Sequence, residues 1–127
     1  MKDFKKYYII EAEPEDVFTA LTNPFTIELW SGYPAVMDTN PGTEFSLWDG
    51  DISGKNLEIE INKKIIQEWY FGDQEEKSIV AIKLFENKKG TQVEVRHTNI
   101  PDEDFENITE GWDDYYMGAL KVFFEEE

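Results

Sequence analysis

The sequence predicts an α+β domain in which a curved antiparallel sheet wraps a long C-terminal helix, with two short helices after the first strand. Three observations carry this expectation. Between Gly42 and Ile100 the chain alternates apolar and polar residues in short runs, the period of strands with one buried face. From Phe105 to Phe123 apolar residues instead recur every three or four positions, as on an amphipathic helix. Before the strands, Pro14 and Pro24 stand where helices can start, because proline lacks only an N–H that a first turn leaves unpaired.

The elements follow in order. Tyr8 and Ile10 alternate with Tyr7, Ile9 and Glu11 in an opening strand. Pro14 begins a helix whose first turn places Glu15 and Asp16 near the free amides that favour negative charge. Val17, Ala20 and Leu21 form its apolar stripe, and Asn23-Pro24 resembles a fresh N-cap and N1 pair, so a second short helix carries Phe25, Leu29 and Trp30 until Gly32. Phe45 and Leu47 then alternate into the turn Trp48-Asp49-Gly50-Asp51, and Leu57, Ile59 and Ile61 resume the pattern against Glu58 and Glu60. Ile65 and Ile66 stand side by side before Trp69 and Phe71, which calls for a bulge or burial on both faces. Val80, Ile82 and Leu84 form the next inward set. Asn87-Lys88-Lys89-Gly90 turns the chain into Thr91, Val93, Val95 and His97. The last helix has its stripe on Phe105, Ile108, Trp112, Tyr116 or Tyr115, Ala119, Leu120 and Phe123, and Thr109 and Gly111 leave two readings open, a helix capped and restarted near Thr109 or one continuous rod.

Composition narrows the function. A chain of 127 residues that is 40% hydrophobic suits one domain over residues 1–127. Twenty-eight Asp and Glu against 12 Lys and Arg give a net charge of −16, which repels nucleic-acid backbones and anionic membrane surfaces. No apolar run approaches the ~20 residues that span a bilayer, so membrane insertion is not expected and a cytoplasmic protein fits. Nine Phe, six Tyr and four Trp argue against disorder. The absence of Cys excludes disulfides, thiolate nucleophiles and Cys-ligated metals. Oligomeric state is not read from the sequence.

Catalytic motifs are sparse. There is no HExxH, no GxSxG and no glycine-rich phosphate loop. Asp49 and Asp51 flank Gly50 without the further spacing of a calcium loop, and Glu58 and Glu60 share a strand face as solvated residues do. No metal or cofactor is expected. His97, the only histidine, is in phase with Val93 and Val95 and therefore points inward. Two readings stand for it, a hydrogen-bonded structural histidine or a general base facing a ligand. The four Trp likewise read either as core residues or as the lining of a space between sheet and helix. Lys63, Lys64, Lys88 and Lys89 make two small basic turns, either solubilising or ready to take a carboxylate.

The predicted order of elements resembles the helix-grip fold of the START and pollen-allergen (SRPBCC) superfamily. More closely, it resembles the family named after the C-terminal domain of the activator of the heat-shock ninety chaperone ATPase. The stretches that carry the likeness run from Ala12 to Thr22, Trp30 to Gly32, Asp49 to Gly54, Ile66 to Trp69, Thr91 to His97 and Glu110 to Trp112. The resemblance implies a cavity between sheet and long helix, roofed by the short helices. Superfamily members bind hydrophobic or amphipathic small molecules there, and a minority catalyse reactions on them. It implies Trp30, Trp69 and Trp112 at the cavity with His97 beside them, and Gly111 as a point of close helix packing. Phe45, Val80, Ile82, Val93, Val95 and Tyr116 complete the expected lining. The expected function is binding of such a molecule. The alternatives are a chaperone-interacting or other protein-binding module, and a cyclase- or hydrolase-like enzyme using His97.

Overall fold

A computed structural model of the chain describes residues 1–72 and 74–125. The chain opens with strand β1 (Lys2–Ile10), followed by helices α1 (Pro14–Thr22) and α2 (Pro24–Ser31). Five strands come next, β2 (Glu44–Leu47), β3 (Ile52–Glu60), β4 (Lys64–Trp69), β5 (Ser78–Asn87) and β6 (Gly90–Ile100). The C-terminal helical region comprises α3 (Phe105–Gly111), a π-helical turn (Trp112–Tyr116) and α4 (Met117–Glu125). All six strands form one antiparallel sheet in the order β1-β6-β5-β4-β3-β2. The expected α+β architecture is the observed one.

Local chemistry explains the joints. Asn23 ends α1 and caps α2, its side-chain oxygen accepting the Thr26 amide at 3.1 Å; Pro24, which has no N–H and would clash with the preceding turn inside one continuous helix, instead opens the second. Inward residues Tyr8 and Ile10, Phe45 and Leu47, Val80, Ile82 and Leu84, and Val93 and Val95 are buried together with Leu21, Ile27 and Leu120. At Gly90 a Cβ would lie 2.5 Å from the Ile10 carbonyl oxygen, so the β5–β6 turn can pass β1 only as glycine.

Three sequence expectations change here. The bulge falls in β3, where the register jumps between Asn56 and Glu58. Leu57 is the extra residue and is exposed, Ile59 keeps the inward phase, and Ile61 lies past the strand end in solvent. With the bulge across from it, β4 alternates regularly, burying Ile65, Gln67 and Trp69 while Ile66 takes the outer face. In the long helix the interruption comes after Thr109, whose hydroxyl bonds back to the Glu106 carbonyl within the helix at 3.2 Å; the irregular turn is the π segment. Gly111 packs against nothing, whereas a Cβ on Gly118 would run into the Asp113 carbonyl oxygen. Gly118 is the residue the π turn requires.

Candidate functional site

The π turn sets the geometry of the interior. It places Trp112 and Tyr116 inward, with Tyr115 outward and 68% exposed. Asp113 anchors the turn to β1, accepting from the Tyr8 hydroxyl at 2.7 Å and the Lys6 ammonium at 2.9 Å. Burial works to raise the Asp113 pKa, but Lys6 and Tyr8 together outweigh it and hold the carboxyl below its usual range. Burial and the same carboxylate push the Tyr8 hydroxyl well above its ordinary value.

An aromatic column then runs through the domain. Phe71 lies 6.0 Å from His97, His97 5.0 Å from Trp69, Trp69 5.0 Å from Trp112 in a stack, and Trp112 4.6 Å from Tyr116 in another. Tyr116 meets Trp30 and Trp48 at 5.2 and 5.5 Å. Three indole donors find acceptors: Trp30 on the Ala20 carbonyl at 2.7 Å, Trp69 on Gln67 Oε1 at 3.0 Å and Trp112 on His97 Nδ1 at 3.2 Å. Gln67 in turn donates to Asn56 Oδ1 at 3.0 Å. Both amides are buried and satisfied, as buried polar groups must be. Neither Asn56 nor Gln67 is among the candidates from sequence, although the placing of Gln67 between Ile65 and Trp69 marks it as inward.

His97 is held on both nitrogens. Trp112 donates to Nδ1, which therefore carries a lone pair, so the proton sits on Nε2 and points to Ser78 Oγ at 2.7 Å. The Ser78 hydroxyl in turn donates a hydrogen bond to the Thr98 carbonyl at 3.1 Å. Burial lowers the His97 pKa from 6.5 to about 3, against a weak opposing pull from Asp3. A serine beside a histidine suggests a hydrolytic pair, but a base must present a lone pair to the hydroxyl. Here the nitrogen facing Ser78 is the protonated one.

All ten candidate residues, Trp30, Phe45, Trp69, Val80, Ile82, Val93, Val95, His97, Trp112 and Tyr116, are buried. Beside three of them a cleft opens where Trp48 and the start of β3 meet the long helix. It measures about 430 Å³ and is lined by Trp69, Trp112 and Tyr116 of the candidates, and by Tyr33, Trp48, Ile52, Ile108 and Tyr115. The other seven candidates are not part of its wall. Trp48 and Asp49 both adopt the left-handed conformation, φ 49° and 54°, at about 1–2 kcal/mol for each such non-glycine residue. This strained turn places Trp48 on the rim.

A second, broader groove of about 710 Å³ lies at the end of the sheet where Lys63, Lys64 and Lys83 gather among Glu13, Glu15, Glu60 and Glu86. Lys64 pairs with Glu58 at 2.6 Å. The mixed charge of its wall gives it no single ligand preference.

A six-stranded antiparallel sheet cradling a long C-terminal helix, with two short helices between the first two strands, is the helix-grip architecture of the SRPBCC superfamily. Residues 11–125 match the family described as "Activator of Hsp90 ATPase homolog 1-like protein", and the chain belongs to that family. The human activator of 90 kDa heat shock protein ATPase homolog 1 is 27% identical over 87% of this chain and 33% of its own length. The Dictyostelium discoideum activator homolog is 26% identical over 90% of this chain and 30% of its own. The chain thus spans about a third of the length of the curated relatives it matches. Among solved structures, an HSP90 activator from Plasmodium falciparum superposes with a TM-score of 0.87 at 26% identity, covering 95% of this chain and 94% of that one. The Aha1 dimer from Colwellia psychrerythraea shares the fold with a TM-score of 0.82 at 20% identity, over 99% and 98% of the two chains.

Proposed function

We propose that this chain is a protein-binding module that docks on a 90 kDa heat-shock chaperone, as the names of its relatives suggest, through the surface around the cleft. The observation that carries this reading is where apolar surface lies. The interior is stacked with aromatic rings, while α2 turns Phe25 and Leu29 outward at 81% and 72% exposure. These two are four residues apart and share one helix face, opposite the buried Ile27 and Trp30. The last residue of α2, Ser31, lies in the cleft wall with Tyr33 and Tyr115. Large exposed apolar side chains flanked by polar surface are typical of interaction sites, and the net charge of −16 favours a basic partner face.

The test titrates the purified chain into the chaperone at low and high ionic strength. Saturable binding is expected, weakening with salt and by about tenfold in Phe25→Ser/Leu29→Ser, with the melting temperature of the variant unchanged. Absence of saturable binding at low ionic strength refutes the reading.

A second reading, binding of a hydrophobic or amphipathic small molecule, draws on the cleft, whose volume falls within the ~300–1,000 Å³ of ligand sites. Native mass spectrometry of freshly purified protein tests it. A retained compound that is lost on denaturation supports it, and an added series of amphiphiles none of which binds counts against it.

A further inference from the structure

We propose that the cleft takes the guanidinium group of an arginine presented by a protein partner. This rests on the protein-binding reading and names the chemistry at its centre. Among the described residues lining the cleft, none is a lysine or arginine, while Asp51 and Asp114 are both exposed there. Neither carboxylate has a cation in ion-pair range among the described residues; Lys6, which does reach the π turn, is taken by Asp113. The Tyr116 side chain is 3% exposed and forms part of the wall, yet its hydroxyl has no hydrogen-bond partner among the described residues. The hydroxyl is not itself among the fully enclosed unpaired atoms, so, on an otherwise buried residue of the cleft wall, it is open to whatever enters.

Much of the remaining wall is aromatic, with Ile52, Ile108 and Ala119 among the rings. Trp48 is held on the rim by its left-handed backbone, and Tyr33 and Tyr115 are 51% and 68% exposed. A guanidinium matches this combination better than other cations. It is planar and weakly hydrated, so it stacks on aromatic faces, and its five fixed N–H donors suit carboxylate and hydroxyl acceptors. An ammonium is compact and strongly hydrated, which makes entry between indole and phenol rings more costly. A neutral apolar ligand would leave both carboxylates and the Tyr116 hydroxyl unanswered. The field of a chain with net charge −16 concentrates cations at such a cleft.

The experiment uses the full ¹⁵N-labelled chain and three probes: N-acetyl-arginine methylamide, its neutral citrulline counterpart and its lysine counterpart. The arginine probe is expected to shift the Trp48 and Trp112 indole signals saturably, with citrulline about tenfold weaker and lysine weaker than arginine. Asp51→Asn/Asp114→Asn, both at exposed positions, is expected to fold normally and bring arginine down to the citrulline level. Equal binding of arginine and citrulline, equal binding of arginine and lysine, or no indole shift overturns the proposal. The two readings fail separately. If the double variant still binds the chaperone as wild type does and the arginine probe is inert, the cation site falls and the docking reading stands. If the arginine probe behaves as expected but the chaperone does not bind, the docking reading falls alone.

Discussion

Lowering the pH from 7 to 5 should destabilise this protein through the buried His97. In the unfolded chain the imidazole has its ordinary pKa of 6.5, and burial in the fold lowers that to about 3. The unfolded state therefore binds the proton first, so stability from this residue is complete above about pH 6.5 and is lost as pH falls toward 3. At 1.36 kcal/mol per pKa unit, the loss reaches about 2 kcal/mol by pH 5 and about 5 kcal/mol in the acid limit. Its origin is burial, which cuts the imidazolium off from solvent, and protonating Nδ1 would also set it against the Trp112 indole donor at 3.2 Å. The assay is urea unfolding at a series of pH values for wild type and His97→Asn. The many surface carboxylates titrate in both proteins and cancel in the difference. Wild type should lose about 2 kcal/mol more than the variant between pH 7 and 5. Parallel pH profiles, or an imidazole that titrates near 6.5 by NMR in the folded protein, would refute the assignment.

Other perturbations probe the remaining joints. Gly118→Ala, at a helix position where alanine ordinarily adds about 1 kcal/mol of stability, should instead cost about 1–3 kcal/mol because the new methyl meets the Asp113 carbonyl; a rise in melting temperature would contradict the role given to the π turn. Gln67→Leu should cost about 2–3 kcal/mol in denaturant unfolding by stranding the Trp69 indole and the Asn56 amide, and a neutral result would show that the network contributes nothing net. Tyr8→Phe removes the hydroxyl that holds Asp113, so it should lower stability by about 1–2 kcal/mol and raise the Asp113 pKa toward its usual value; an unmoved carboxyl resonance in a pH titration would count against that anchor.

The sheet was legible because alternation between Phe45 and His97 is nearly unbroken, and period 2 has one physical meaning when one face is buried. The Asn23-Pro24 joint was legible for a similar reason, since capping and N1 chemistry are local. What escaped depends on one residue more or less. A single extra residue at Leu57 reverses the face of its strand, and Asn56, a polar residue in an inward slot, gave no apolar signal to reveal it. The π turn is likewise one residue wider than a regular turn, and only the spacing of Trp112, Tyr116 and Leu120, each four apart, together with Gly118, hinted at it.

The expected lining residues combine inward phase with the family resemblance, and inward phase selects the core. Trp69, Trp112 and Tyr116 of that set also reach the cleft wall, which residues just outside the phase complete. Trp48 sits in a turn, Ile52 begins a strand, and Tyr115 is the outward member of the Tyr115-Tyr116 pair. Sequence periodicity reports what is buried against the sheet. The rim of an opening is defined by backbone conformation, here two successive left-handed residues that are not glycine; Asp49-Gly50 marks a turn, but the indole at Trp48 does not announce a left-handed backbone.

Hydrogen exchange of the chain with and without the chaperone shows whether the partner sits on the α2 face and the cleft rim, as we propose. Slowed exchange is expected in α2, in residues 48–52 and in the π turn, with the outer face of β4 and β5 unchanged. Protection confined to that outer face, with α2 and the cleft rim exchanging as in the free chain, would contradict it.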